Sequence, residues 1–126
     1  MSQHLHTDDA AKPEASYSQA VKAGELVFVS GCIPTIPATG ELIENSIEDA
    51  TAQCLENIKQ ILKGADLDFT NIVKVSIFMI NTEDYKAMDA TYASILPQPY
   101  PAREAVFVSA LPKNARIETK TASLAG

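Results

Sequence analysis

The alternation of apolar and polar positions divides the chain into strand-like and helix-like stretches. Tyr17 to Ala23 reads as extended, and Ala23-Gly24-Glu25 as a turn. Leu26-Val27-Phe28-Val29 is a run of β-branched and aromatic residues, which predicts a buried strand ending at Ser30-Gly31. Pro34, Pro37 and Gly40 punctuate a loop. Ala50, Cys54, Ile58, Ile61 and Leu62 then recur at three- and four-residue steps, the stripe of an amphipathic helix. Ser46, with Asp49 three residues on, supplies its N-terminal cap, and Gly64 stands where a left-handed stop belongs. Ile72 to Ile80 predicts a strand with Val73, Val75, Ile77 and Met79 on one side and Lys74, Ser76, Phe78 and Ile80 on the other. Thr82-Glu83-Asp84 opens a second helix that runs to about Leu96, with Tyr85, Met88, Tyr92 and Ile95 at core spacing. Pro97, Pro99 and Pro101 end it. Ala105 to Val108 and Arg116 to Ala122 are strands, joined through a turn at 111–114.

The order strand, strand, helix, strand, helix, strand, strand predicts an α+β sandwich of two layers, two helices on one face of a four- to five-stranded sheet. Helices on one face leave the apolar strands of the other needing a partner. Oligomerisation through the sheet is therefore expected, and a subunit interface is a natural place for a pocket.

The 126 residues carry 46% apolar and 21% charged residues, an ordinary globular balance that points to one domain and excludes wholesale disorder. No apolar run approaches the ~18 residues of a membrane helix, so no membrane partner is expected. Ten basic against sixteen acidic residues give a net charge of −6. Binding to nucleic acid draws on a basic face, so that function class is disfavoured. Cys32 and Cys54 form neither a disulfide framework nor a metal cluster. Residues 1–12 read as a flexible, solvated tail that holds both histidines, His4 and His6. That segment has neither the apolar core of a signal peptide nor the arginines of a mitochondrial transit peptide, so the cytoplasm is the expected compartment.

The chain has no Gly-x-Ser-x-Gly, no P-loop, no Gly-x-Gly-x-x-Gly and no histidine beyond the tail. A general base near neutral pH is usually a histidine, so most hydrolases and nucleases that depend on one are excluded. Any chemistry rests on carboxylates, tyrosines, backbone groups, cysteine or arginine. Arg103 follows the rigid Tyr100-Pro101-Ala102 at a strand entrance, where it can bind a carboxylate with two prongs. A surface salt bridge is the competing reading. Glu118, between Ile117 and Thr119, faces either solvent or a pocket. Tyr17 and Ser30 carry no signal singly.

Together these residues form an ordered series. Tyr17-Ser18-Gln19-Ala20-Val21 is followed by Leu26-Val27-Phe28-Val29-Ser30-Gly31, Ile33-Pro34 and Thr39-Gly40-Glu41-Leu42. Leu55-Glu56-Asn57-Ile58 and Ile72-Val73-Lys74-Val75 come next. Pro101-Ala102-Arg103-Glu104-Ala105-Val106, Ala110-Leu111-Pro112-Lys113 and Ile117-Glu118 complete it. The series resembles the Rid family of reactive intermediate deaminases, also called YjgF-like or L-PSP proteins, over nearly the whole chain. The resemblance implies a chorismate-mutase-like subunit with a mixed sheet, assembled as a homotrimer with three clefts between subunits. It implies hydrolysis of enamines or imines released by pyridoxal-phosphate enzymes, giving 2-oxo acids and ammonia, without cofactor or metal. In that pattern Arg103 grips the substrate carboxylate, Glu118 positions or activates water, and Tyr17, Ser30 and Gly31 line the cleft.

The sequence departs from the pattern at several lining positions. Cys32 stands where the family often has Gln, Ala105 where it often has Cys, Asp89 where it has Asn, and Lys120 where a second Glu is frequent. Cys32, Ala105 and Asp89 remain candidate substrate contacts, with Cys32 expected to be packed rather than reactive. The alternatives to a deaminase are a non-catalytic module of the same fold that binds small carboxylates and, behind it, an endoribonuclease or translation inhibitor.

Overall fold

The computed structural model describes residues 2–125. Eight elements follow one another: β1 (Ser2–Leu5), β2 (Ala20–Ala23), β3 (Leu26–Cys32), α1 (Ile47–Gly64), β4 (Ile72–Met79), α2 (Tyr85–Ile95), β5 (Ala102–Phe107) and β6 (Ile117–Leu124). The strands form one six-stranded sheet in the order β1-β2-β3-β6-β4-β5. Only β4 and β5 run parallel, joined by α2, so the sheet is mixed. The two-layer α+β sandwich expected from the sequence is the observed architecture, with six strands where four or five were expected because Ser2–Leu5 adds an edge strand.

The core lies between the sheet and the helices. Val27, Val29, Val75, Ile77, Met79 and Ile117 bury one sheet face against Ala50, Cys54, Leu55, Ile58, Ile61 and Leu62 of α1. Helix α1 starts at Ser46, whose Oγ accepts the Asp49 backbone N–H at 3.0 Å. The other sheet face is open. Leu26, Phe28, Val106 and Leu124 on it are each about 40% exposed or more.

Several expectations change. Where the sequence reading has a flexible tail, Ser2–Leu5 pairs antiparallel with β2. Gln19 ties down the chain that follows, accepting from Thr7 N–H at 2.7 Å and donating to the Thr7 and Ala11 carbonyls at 3.0 and 2.9 Å. The β3 run is not buried on both sides: Leu26 and Phe28 alternate onto the open face. A bulge between Ile72 and Lys74 puts Ile72 in the core and leaves Val73 exposed. The left-handed residue after α1 is Asp66 (φ 60°) rather than Gly64. β5 begins at Ala102, so Arg103 lies within the strand, not before it.

Candidate active site

A bulge positions the first group of site residues. The β3–β6 register shifts between Val29 and Cys32, which takes Ser30 and Gly31 out of the regular ladder. Ser30 is fixed by its neighbours: its N–H donates to Gln19 O at 2.9 Å and its Oγ to Ser18 O at 2.6 Å. Glu118, on β6 opposite Phe78 of β4, extends over the bulged backbone and packs against Gly31. Together with Tyr17, Ser30, Pro112 and Lys113 these two residues line a cavity of about 540 Å³.

The Glu118 carboxylate is half-buried and accepts no hydrogen bond among the described residues. Burial raises its pKa above the ordinary carboxylate value, and the nearby Lys120 charge only partly opposes this. A carboxylate of raised pKa on a cavity wall is chemically able to take up and release a proton. Cys32, at the end of β3, is packed as expected. Burial and then the Glu118 charge push its thiol up to about 12, and its Sγ donates weakly to Ser30 O at 3.5 Å. Its backbone carbonyl accepts from the buried Cys54 Sγ at 3.2 Å.

The second group surrounds Arg103. Strand β5 places Arg103 beside Val75 of β4, on the helix-covered face. Tyr85, Asp89 and Tyr92 are spaced four and three residues apart on α2, so they share the helix face that meets it. Arg103 Nη1 donates to Asp89 Oδ1 at 2.8 Å and Nη2 to Tyr85 Oη at 2.7 Å. Its guanidinium carbon stands 4.7 Å from the Tyr92 ring centre. Burial disfavours the charge, but Asp89 and Tyr85 more than offset this, so the Arg103 pKa lies above its ordinary value. Ala105, two residues on, shares that side of β5 and packs against the core. A cavity of about 210 Å³ opens here, lined by Arg103, Asp89, Tyr92, Ala93, Tyr100 and Pro101.

The candidates therefore fall into two groups that one chain does not bring together. Tyr17, Ser30, Gly31, Cys32 and Glu118 lie at one place; Arg103, Asp89 and Ala105 lie at another. The register explains the separation. Arg103 aligns with Val75 and Thr121, whose side chains enter the core, whereas Glu118 aligns with Phe78 on the open face. The two side chains thus leave opposite faces of the sheet, with β4 between their strands. Tyr85 and Tyr92 both fall at core spacing in the sequence. Tyr92 is buried in the core, but Tyr85 is more than a third exposed and its hydroxyl holds Arg103. The four-residue step from Tyr85 to Asp89 was the available signal.

The family model described as Endoribonuclease L-PSP matches residues 7–124. The chain belongs to this family, the Rid or YjgF group. Among its Rid relatives, the chloroplastic Reactive Intermediate Deaminase A of Arabidopsis thaliana is 43% identical over 114 residues, which cover 90% of this chain and 61% of that protein. The 2-iminobutanoate/2-iminopropanoate deaminase of Homo sapiens is 36% identical over 87% of this chain and 80% of its own. The crystal structure of RidA from the Antarctic bacterium Psychrobacter sp. PAMC 21119 superimposes with a TM-score of 0.94 at 35% identity, covering 97% and 98% of the two chains. Among the described residues of this Rid chain, no helix is long and apolar enough to cross a membrane.

Proposed function

We propose that this protein hydrolyses reactive imines and enamines, the products of pyridoxal-phosphate enzymes, to 2-oxo acids and ammonia. Relatives named as deaminases of 2-iminobutanoate and 2-iminopropanoate support the reaction class. The observation that carries the reading on this chain is Glu118: a half-buried carboxylate of raised pKa, without a hydrogen-bond partner among the described residues, on the wall of a cavity.

The chemistry asks little of the protein beyond placement. A protonated 2-imino acid already has an electrophilic carbon. Glu118 accepts a proton from water as the water oxygen bonds to that carbon, giving a tetrahedral carbinolamine. Glu118 returns that proton to the nitrogen and, as the C–N bond breaks and ammonia leaves, takes up the hydroxyl proton, so that the carbonyl of the 2-oxo acid remains. Arg103 holds the carboxylate with N–H groups that Asp89 and Tyr85 leave free. Tyr17, Ser30 and Gly31 shape the wall, and Cys32 stays a thiol. No cofactor enters these steps, because orientation and proton transfer through one carboxylate supply the rate.

Arg103 and Glu118 leave opposite faces of one sheet, so a complete site draws Arg103 from one subunit and Glu118 from the next. A homotrimer whose open sheet faces meet supplies that arrangement, covering Leu26, Phe28, Val106 and Leu124. Two unpaired thiols suit a reducing compartment such as the cytoplasm. RNA cleavage, which the family description names, is disfavoured by the charge of −6 and by the lack of a histidine in either cavity.

The test generates imine in place with threonine dehydratase or an amino-acid oxidase and follows 2-oxo acid formation with and without the protein. Catalytic acceleration by a trimer, as measured by light scattering, is expected. A trimer that binds 2-oxo acids but leaves the spontaneous rate unchanged is instead a carboxylate-binding module. A monomer at micromolar concentration overturns the shared site.

A further inference from the structure

The guanidinium that serves as carboxylate anchor comes with a carboxylate of its own. Asp89 Oδ1 takes one N–H of Arg103 at 2.8 Å, and Tyr85 takes another at 2.7 Å. The remaining Arg103 donors and Asp89 Oδ2 have no hydrogen-bond partner among the described residues. The Asp89 side chain is 50% exposed against 20% for Arg103, so Asp89 is the more open member of the pair. Both line the same cavity of about 210 Å³. Tyr92 lines it too, and its buried hydroxyl has no partner among the described residues. This wall presents a donor fork and an acceptor side by side, with the positive charge already balanced.

We propose that Asp89 is a specificity-determining residue that acts as a charge filter: the site accepts imines with neutral or cationic side chains and rejects those with a second carboxylate. The inference rests on the deaminase reading given above and names its substrate class. A substrate carboxylate bound to the free Arg103 donors lies beside the Asp89 charge, and a single carboxylate is tolerated because Arg103 faces both. A second carboxylate meets Asp89 with no cation left to balance it. A substrate ammonium or guanidinium, in contrast, finds Oδ2 open. At partly exposed sites one such charge contact changes affinity by roughly tenfold.

The experiment measures kcat/KM on imines made by amino-acid oxidases from alanine, arginine and glutamate. The wild-type protein and Asp89→Asn and Asp89→Glu variants are compared, with calorimetric binding of pyruvate and 2-oxoglutarate in parallel. Wild type is expected to disfavour the glutamate imine against the alanine imine by roughly tenfold or more, with the arginine imine at least equal to the alanine imine. Asp89→Asn, which keeps shape and an acceptor for Arg103, is expected to bring the three within a few-fold. Asp89→Glu keeps the charge and is expected to keep the bias. A purely structural Asp89 would shift all three imines by one common factor, and that result overturns the proposal. Equal handling of the alanine and glutamate imines by wild type also overturns it. If no imine is turned over, the deaminase reading fails while the filter is still judged by binding: pyruvate bound tighter than 2-oxoglutarate in wild type but not in Asp89→Asn supports it, and equal binding in both sinks it.

Discussion

Glu118 packs so closely over the backbone of Gly31 that no side chain fits between them. A Cβ at Gly31 would stand 2.9 Å from the Glu118 carboxyl carbon, with one carboxylate oxygen nearer still. Gly31 is not in the left-handed region, so the position requires space rather than unusual backbone. Gly31→Ala is expected to push the Glu118 carboxylate aside, and a displacement of about 1 Å at a reacting group can cost on the order of 100-fold. Turnover should fall by roughly 10- to 100-fold while thermal melting stays close to wild type. Unchanged kcat in Gly31→Ala would show that the carboxylate can work from elsewhere.

Cys32 lies beside this pair, yet its thiol should be inert. Its pKa of about 12 leaves only about one thiolate in ten thousand at pH 8. At the same pH roughly a quarter of an unperturbed cysteine is thiolate. Alkylation by iodoacetamide at pH 8 should be roughly a thousandfold slower in the native protein than in urea. Rapid native labelling at Cys32, located by mass spectrometry, would contradict the packing described.

The second arginine has a structural part. Arg116 precedes β6 and holds Asp84, before α2, through Nε at 3.3 Å and Nη2 at 2.9 Å. The Asp84 side chain is only 9% exposed. Removing one partner of a buried pair costs ~3–5 kcal/mol, and the partial exposure of Arg116 lowers the expectation to about 1–3 kcal/mol for Arg116→Met. Urea unfolding should show this as a lower midpoint at an unchanged slope.

How far these features could be read from the sequence depended on how local their causes are. The stripe of α1 and its Ser46 cap rest on neighbours three and four residues apart, so the periodicity revealed both. β1 was hidden because Gln3 and His4 are polar, and what holds the segment is pairing with β2 and the bonds from Gln19 to Thr7 and Ala11. Exposed Val73 was misplaced because a bulge interrupts the period of two. Arg103 and Glu118 stood out through family resemblance, but their opposite directions did not. That follows from the register of β5 and β6 on β4, which is set by contacts distant along the chain.

Glu118 itself provides the sharpest test, because activity and stability should respond to it in opposite directions. Glutamine keeps the size of the side chain and an acceptor oxygen but cannot take a proton from water. If Glu118 is the base, Glu118→Gln should lower kcat by roughly 100-fold or more with little change in substrate binding. In wild type the active carboxylate forms only above its raised pKa, so kcat/KM should fall as pH drops through a value higher than an ordinary glutamate's. Stability follows the same proton. The folded chain binds it more tightly than the unfolded chain does, so this contribution is fully present below the ordinary carboxylate pKa. It is lost as pH rises through the raised one. At pH 7 the wild-type protein therefore carries an ionised, half-buried carboxylate at a cost that a neutral glutamine side chain avoids. Glu118→Gln should melt higher than wild type at pH 7, and the gap should close toward pH 4. Steady-state kinetics on freshly generated imine and thermal melts across that pH range check both halves. A variant with full activity would remove Glu118 from the mechanism, and a lower melting temperature at pH 7 would contradict the burial that sets its pKa.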